Sequence, residues 1–596
     1  MSDIYGPRSD FGQLMHAMKY RAPEESFDDY CVRYARTTAN DNQAHFRRLL
    51  AYLRDQSILP GGRQQLAVGR PRETTAYQCF VMGEIPDSTR GIFDSVRDTA
   101  LTLRSGGGTG MDFSPLRPAG EPIRGLGHGA FASGPVSFMG VWHSACGTIM
   151  SAGERRGAMM ATLRIDHPDI LLFIKAKQNT GALTNFNISV TVTDEFMEAL
   201  AVDGLYTLRF GGVEFGQLRA LDVWSMIMES NWDWGEPGTI FIDRINRLNP
   251  LAYCETIHST NPCSEQPLPP WGACLLGSLN MVKFLVPIHE AADGLKLAAE
   301  SGHQTVRYEI DFERLDDAVD AAVRAFDAVI ERTIYPLEQQ RAEAIAKRRM
   351  GVGVTGMANA IEVCGAPYGT PAYLDHQDIL LERINTQAYR TSAALAREKG
   401  TFPLWNAERY CEGEFFRTRL PDDLQDEIRR NGLRNGLLTS IAPTGTISMV
   451  ADYVSSGIEP VFSPRLSRTI KTPQGERQFE VVDYATQYYG VKGRAASDVS
   501  AEEHIDVLCR AQRWVDSSIS KTCNVTGQIA GEGSGMSFAD FKNLYLRAWE
   551  GGAKGCATFN SNGKRRGILA PLPDAEAADG AACFIDPETG NRACGD

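Results

Sequence analysis

The chain has 596 residues, of which 43% are hydrophobic, 23% charged and 9% aromatic. Those proportions belong to folded globular chains and exclude disordered, collagenous and small disulfide-stapled ones. Lys plus Arg is 61 against 74 for Asp plus Glu, a net charge of -13, so a basic nucleic-acid footprint is absent, and no apolar run nears the roughly 18 residues of a membrane span.

The first residues, Met-Ser-Asp-Ile-Tyr-Gly-Pro-Arg, carry neither a basic, apolar leader nor an Arg-rich amphipathic one, which points to the cytoplasm. Residues 1–54 read as a helical lead-in, because Phe11, Leu14 and Met15, then Phe46, Leu49, Leu50 and Leu53, recur at spacings of three and four among charges. From 55 to 565, helical patterns such as 312–332 and 381–399 alternate with short β-rich runs at 186–192 and 239–242. That alternation, joined by Gly-rich turns without a linker, predicts one large α/β domain. Residues 566–596 turn small and acidic with no periodicity, which predicts a mobile tail.

Thirteen cysteines is an odd count in a chain without a secretion leader, so a disulfide framework is not expected. No pair has the C-x2-C or C-x4-C spacing of a structural zinc site, and no metal is predicted. One segment stands out: Asn261-Pro-Cys-Ser-Glu-Gln266 runs through a Pro/Gly-constrained loop to Cys274 and Asn280. In an extended stretch, positions i, i+2 and i+4 share a side, so Asn261, Cys263 and Glu265 would bring an amide, a sulfur and a base to one small substrate.

This segment resembles the active-site loop of ribonucleotide reductase catalytic chains. Ala76-Tyr-Gln-Cys-Phe-Val81, Ser105-Gly-Gly-Gly-Thr-Gly110, Gly351-Val-Gly-Val-Thr-Gly-Met357, Pro443-Thr-Gly-Thr-Ile-Ser448 and Val515-Asp-Ser-Ser-Ile-Ser-Lys521 follow in the family's order. The resemblance implies a ten-stranded α/β barrel of the ribonucleotide reductase and glycyl-radical type, with a central finger loop. It implies a thiyl radical at Cys263, a general base at Glu265, sugar contacts from Asn261, and a redox pair, Cys79 and Cys274, that supplies two electrons. Gln78, Gly108 and Ser264 match substrate-binding positions, and Pro443, Thr444, Gly445, Thr446, Ile447 and Ser448 match the substrate-phosphate loop. Turn-forming, hydroxyl-rich runs of that kind suit a phosphate.

By the same resemblance, Cys583 and Cys594 are tail thiols that carry electrons from a thioredoxin- or glutaredoxin-like reductant. Ten residues separate them, where many relatives have a close pair. Asp87, Ser88, Arg104, Arg117 and Lys177 match positions for a dNTP or ATP effector, with 177–186 as the loop that links effector to substrate. A homodimer and a ribonucleotide substrate, as the diphosphate, follow by analogy. Seventy-eight residues precede Cys79, too few for the lead-in plus a full ATP-cone, so no dATP shutdown through such a domain is expected.

Three radical starters are known in the family. The chain ends Arg592-Ala-Cys-Gly-Asp596, unlike a glycyl-radical R-V-x-G-Y motif. Where partner-driven relatives have paired tyrosines, in A-W-x-x-G-x-K-T-x-Y-Y, this chain has Ala557 and Thr558. Adenosylcobalamin remains, and 554–559 resembles the K-G-x-T-x-Y segment of the adenosylcobalamin-dependent (class II) members, with Ala557 for the Thr and Phe559 for the Tyr. The rival readings are a catalytic subunit that needs a radical-donating metal subunit, and a non-catalytic nucleotide-binding regulator.

Overall fold

The computed structural model describes residues 5–71, 74–123, 129–151, 155–179, 181–288, 306–472, 475–527, 535–564, 583–585 and 592–594. Ten strands share one sheet: β1 (Ile58–Pro60), β2 (Cys79–Val81), β3 (Gly108–Asp112), β4 (Met159–Arg164), β5 (Phe186–Val192), β6 (Gly238–Phe241), β7 (Ala273–Asn280), β8 (Met350–Thr355), β9 (Thr522–Val525) and β10 (Gly555–Asn560). β4, β5, β7 and β8 are buried along almost their whole length. Such near-continuous burial is what parallel strands covered on both faces require.

The ladders divide the sheet into two halves. β2, β3, β4, β5 and β6 are mutually parallel, as are β7 with β8 and β9 with β10. The halves run antiparallel where β2 meets β7 and where β6 meets β10. The remaining gap is spanned by residues 437–441, which bridge β8 on one side and the segment leading into β9 on the other. Val352 N donates to Leu438 O at 2.8 Å, and Ser520 N to Ile441 O at 2.9 Å, both within parallel bridges. The sheet therefore returns on itself as the expected α/β barrel, and β1 adds a further stave on the far stretch of β7.

Helices pack outside. The lead-in is three helices, α1 (Asp10–Tyr20), α2 (Phe27–Thr38) and α3 (Gln43–Arg54), each begun by a Ser or Asn cap that accepts a backbone N–H. Two more lie side by side, α4 (Thr89–Arg104) and α5 (Gly134–Thr148). α6 (Phe312–Arg332) buries Leu315, Val319, Ala322, Phe326 and Val329, a stripe at three- and four-residue spacing. Phe326 fills the space over Gly277, where a Cβ would lie 2.1 Å from its ring. α7 (Pro371–Lys399) starts ten residues ahead of the periodicity at 381–399, because Thr370 caps it and Pro371 occupies its first turn. The short α8 (Gly445–Val450) follows Thr444. No helix among the described residues is long and apolar enough to cross a membrane.

Candidate active site

Residues 259–268 form a hairpin whose strands pair Ser259 with Leu268 and Thr260 with Pro267. Its tip is a β-turn: Ser264 N donates to Asn261 O at 3.1 Å, with Pro262 at the second position, where its fixed φ suits the turn. Staves from around the ring hold this finger inside the barrel. Thr162 Oγ1 donates to Ser259 Oγ at 3.1 Å, Asn187 Nδ2 to Pro262 O at 2.8 Å, and Ser440 Oγ and Ser518 N to Glu265 O at 2.9 and 3.1 Å. β3 has glycine at 110 because a Cβ there would sit 1.7 Å from Thr260 O. Asn261, Cys263 and Glu265 do converge, but through a turn and not through the alternation of an extended strand. Ser264, with φ +65°, bears the strain of that turn.

Cys79 on β2 and Cys274 on β7 are direct partners across the antiparallel seam. Residues so opposed have Cα separations within the range a disulfide needs. Asn261 Nδ2 donates to Cys79 Sγ at 3.0 Å, and Cys79 Sγ donates to Glu265 Oε1 at 3.5 Å. Asn261 Oδ1 accepts from Gln266 N at 2.9 Å, which sets the amide's orientation. Glu265 is 2% exposed, and its Oε2 has no hydrogen-bond partner. Burial raises its carboxyl above the ordinary range against the pull of Asn261 and Cys79. Burial likewise pushes the thiols of Cys79, Cys263 and Cys274 up, so all three keep their protons at neutral pH.

Two cavities meet at Cys263, and its exposure is to these interior spaces. The first, about 650 Å³, is walled by Cys79, Asn261, Cys263 and Glu265, by Gln78 and Gly106–108, and by residues 443–447. Gln78 Oε1 accepts from Leu276 N at 3.3 Å, leaving its buried Nε2 without a partner. Gly108 N donates to Gln78 O at 2.8 Å, and a Cβ on Gly108 would come 3.1 Å from Pro262. Thr444, at φ +52°, uses its hydroxyl internally, accepting from Gly457 N at 2.8 Å. Ser448 is not in the wall; its Oγ donates to Gly445 O at 3.1 Å. The sequence reading missed residues 17–23 and 61–63, which also wall this space; Gly61-Gly-Arg63 after β1 was the available signal.

The second cavity, about 310 Å³, lies on the other side of Cys263, against β5, β6 and residues 554–559 of β10 and its approach. Ser264 faces this space and not the first. Thr239 Oγ1 is buried here without a partner, and Ala557 and Thr558 are part of the wall. Lys554 Nζ donates to Asp516 O and Ser517 O, both at 2.6 Å, tying β10 to the segment before β9; burial lowers its pKa to about 7.

The family model described as ribonucleotide reductase, barrel domain, matches residues 78–488 and 481–559. This chain belongs to the ribonucleotide reductase family. A vitamin B12-dependent ribonucleoside-diphosphate reductase of Mycobacterium tuberculosis is 32% identical over 95% of this chain and 80% of its own length. One of Thermoplasma acidophilum is 34% identical over 79% of this chain, which spans 60% of that relative. A ribonucleoside-diphosphate reductase subunit alpha of Helicobacter pylori is 26% identical over 82% of this chain and 71% of its own.

The reductase's effector candidates are partly gathered. Ser88 caps α4 by accepting from Gly91 N at 3.1 Å, and Arg117 Nε donates to Asp87 Oδ2 at 2.7 Å. Arg104 ends α4, ~22 Å away along its axis. Lys177 is held elsewhere, paired with Glu236 Oε2 at 2.5 Å, and Glu236 also walls the second cavity. In the tail, Cys583–Ile585 and Arg592–Cys594 form an antiparallel ribbon whose register sets Cys583 opposite Cys594; the rest of 566–596 lies outside the described residues.

Proposed function

We propose that this chain reduces ribonucleoside diphosphates to 2'-deoxyribonucleoside diphosphates through a thiyl radical at Cys263, with adenosylcobalamin as the radical source. The observation that carries the reading is the position of Cys263 as the shared wall of two cavities, one of them also walled by a base, an amide and Cys79, whose ladder partner Cys274 is buried directly behind the wall. The second cavity fits part of a bulky organic cofactor: it adjoins the radical sulfur, is walled by strand backbone and small side chains, and has a buried hydroxyl, Thr239 Oγ1, awaiting a partner. When bound, adenosylcobalamin supplies the unpaired electron.

The remaining steps belong to this chain's side chains. Cys263 Sγ takes the hydrogen atom from C3' of the ribose. Glu265, its Oε2 unpartnered, takes the 3'-hydroxyl proton. The 2'-hydroxyl leaves as water with a proton from the Cys79/Cys274 pair, whose buried S–H groups are the form that step requires. The hydrogen of the other thiol goes to C2', and the pair gives up two electrons in all as an S–S bond forms between its sulfurs. Glu265 returns its proton to the 3'-oxygen, and Cys263 returns the hydrogen atom to C3', which leaves the sulfur radical ready for release or another cycle. Gln78 and residues 443–447 hold the nucleotide in the first cavity.

The facing register of Cys583 and Cys594 supports a tail dithiol that re-reduces the Cys79–Cys274 disulfide and is itself reduced by a thioredoxin- or glutaredoxin-like protein. The Asp87–Arg117 pair beside Ser88 supports a dNTP or ATP effector at the start of α4. Phe93 and Leu101, 53% and 43% exposed on that helix, support a homodimer interface there. Against a partner-driven enzyme stands the composition of the second cavity, where Ala557 and Thr558 offer no oxidisable ring. The test is purified chain with adenosylcobalamin, a dithiol and a ribonucleoside diphosphate. Deoxynucleotide formed without a second protein is the expected result; none formed until a metal-containing subunit is added would overturn the cofactor reading.

A further inference from the structure

The substrate cavity has a roof that comes from outside the barrel. Residues 17–23, the end of α1 and the turn after it, wall the 650 Å³ space together with the finger. α1 is anchored at both ends to the walls it bridges. At its start, Asp452, just beyond α8, accepts from Arg8 N and Ser9 N at 2.8 Å and from Ser9 Oγ at 2.6 Å. Gly12 lets the helix lie close to α8, since a Cβ there would sit 2.9 Å from Val450 O. Towards its end, His16 and Gln65 share a 3.0 Å hydrogen bond, and the Tyr20 ring covers Gly62, where a Cβ would lie 2.8 Å away.

This roof carries the charge. Lys19 and Arg21 line the cavity from α1 and its end, and Arg63 lines it from the short helix Gly62–Ala67, its guanidinium against Gly106, where a Cβ would come within 2.8 Å. Among the described lining residues Glu265 is the sole carboxylate, and it lies on the finger. Arg21 Nη2 donates to Gln13 O at 3.0 Å, while its Nε is buried with no hydrogen-bond partner. A cavity with its acid on the finger and its cations in the roof is polarised for a ligand that is neutral at one end and multiply anionic at the other.

We propose that Lys19 and Arg21, with Arg63 beside them, bind the distal phosphate of the ribonucleoside diphosphate. The lead-in is thereby part of the substrate site and a determinant of phosphate number. This rests on the reading of the first cavity as the nucleotide site. Residues 443–447 then serve the phosphate nearer the sugar, and the roof selects for the second one, because charge-assisted contacts to a phosphate are the strong kind.

The test compares full-length chain with its Lys19→Met/Arg21→Met variant, by calorimetric binding of a ribonucleoside diphosphate and of the matching monophosphate, and by steady-state reduction. Diphosphate affinity is expected to fall roughly tenfold or more, with monophosphate affinity moving less than about twofold. The kinetic loss is expected in KM and not in kcat, and Arg21→Lys should recover part of it. Melting curves identify a variant that has lost its fold, in which case Lys19→Met alone, with a smaller shift of the same kind, carries the comparison. A folded variant that keeps the wild-type preference for the diphosphate overturns the roof and leaves the reductase reading standing. A wild-type chain that neither binds nor reduces nucleotides overturns both.

Discussion

The two cavities that share Cys263 are built from opposite materials. The substrate side gathers loops and termini: a finger turn, a Gly-rich approach to β3, a helix start at 443–447 and the end of α1. The other side is made mainly of strands, β5, β6 and β10, with backbone held in ladders. Loops can present many chemistries to a ligand that enters and leaves every turnover, whereas a ladder wall presents a constant surface beside a reactive sulfur. On the function proposed, this difference gives exchange and recognition to one face of Cys263 and protection to the other.

The hardest test of that division is the shared sulfur. Cys263→Ser should abolish deoxynucleotide formation, by at least roughly 10⁴-fold, the scale of loss when a residue indispensable to the chemical step is removed, while nucleotide binding read by calorimetry persists; turnover near wild type would break the scheme. Filling one side should spare the other. Ala557→Trp is expected to remove cobalamin binding, read by its visible spectrum, with nucleotide affinity kept, and Gly108→Val is expected to do the reverse, since Gly108 lines the first cavity and not the second. A variant that lost both ligands while folded would show that the two spaces act as one.

Smaller effects sharpen the picture. Glu265→Gln should lower kcat by roughly 10²–10⁴-fold. In wild type, the acidic limb of kcat/KM should fall through a pKa above the ordinary glutamate value, because burial raises it; the base must be ionised, so activity is lost as pH drops. Behind the cavity walls, burial lowers His16 to about 3 and His504 to about 2 from 6.5. Their neutral forms are held by the fold, so the unfolded chain binds more protons below pH 6.5. Stability is full above that value and falls as pH drops, by on the order of 1 kcal/mol per histidine per pH unit. Denaturation at pH 7 and pH 5 should show this loss, and His16→Gln should lessen it.

Much of the site was legible in the linear chain because its chemistry is written in residue types within short motifs. Asn261, Cys263 and Glu265 share one loop, whereas Cys79, Gly108 and residues 443–447 sit in runs that say little alone and were read through their order and their resemblance to the family's motifs. The reason given for the convergence of Asn261, Cys263 and Glu265 was wrong, since a Pro-initiated turn brings them together. Ser264 turned out to face the second cavity, and Ser448 lies outside the first. Arg104 shares a helix with Ser88, yet the length of that helix parts them. Lys19 and Arg21 went unread, because nothing local says that α1 lies across α8 and the short helix Gly62–Ala67.

Sequence by itself determined which side chains are present and which local elements they favour: α6 from its apolar spacing, β5 from its alternation of β-branched residues, and the caps from Ser, Thr and Asn. The tertiary structure alone decided that Cys79 stands directly against Cys274, that one cysteine divides two spaces, and that the amino-terminal helix roofs one of them. Those relations depend on ladder register and barrel closure between segments hundreds of residues apart, and periodicity over a few turns carries no information about either.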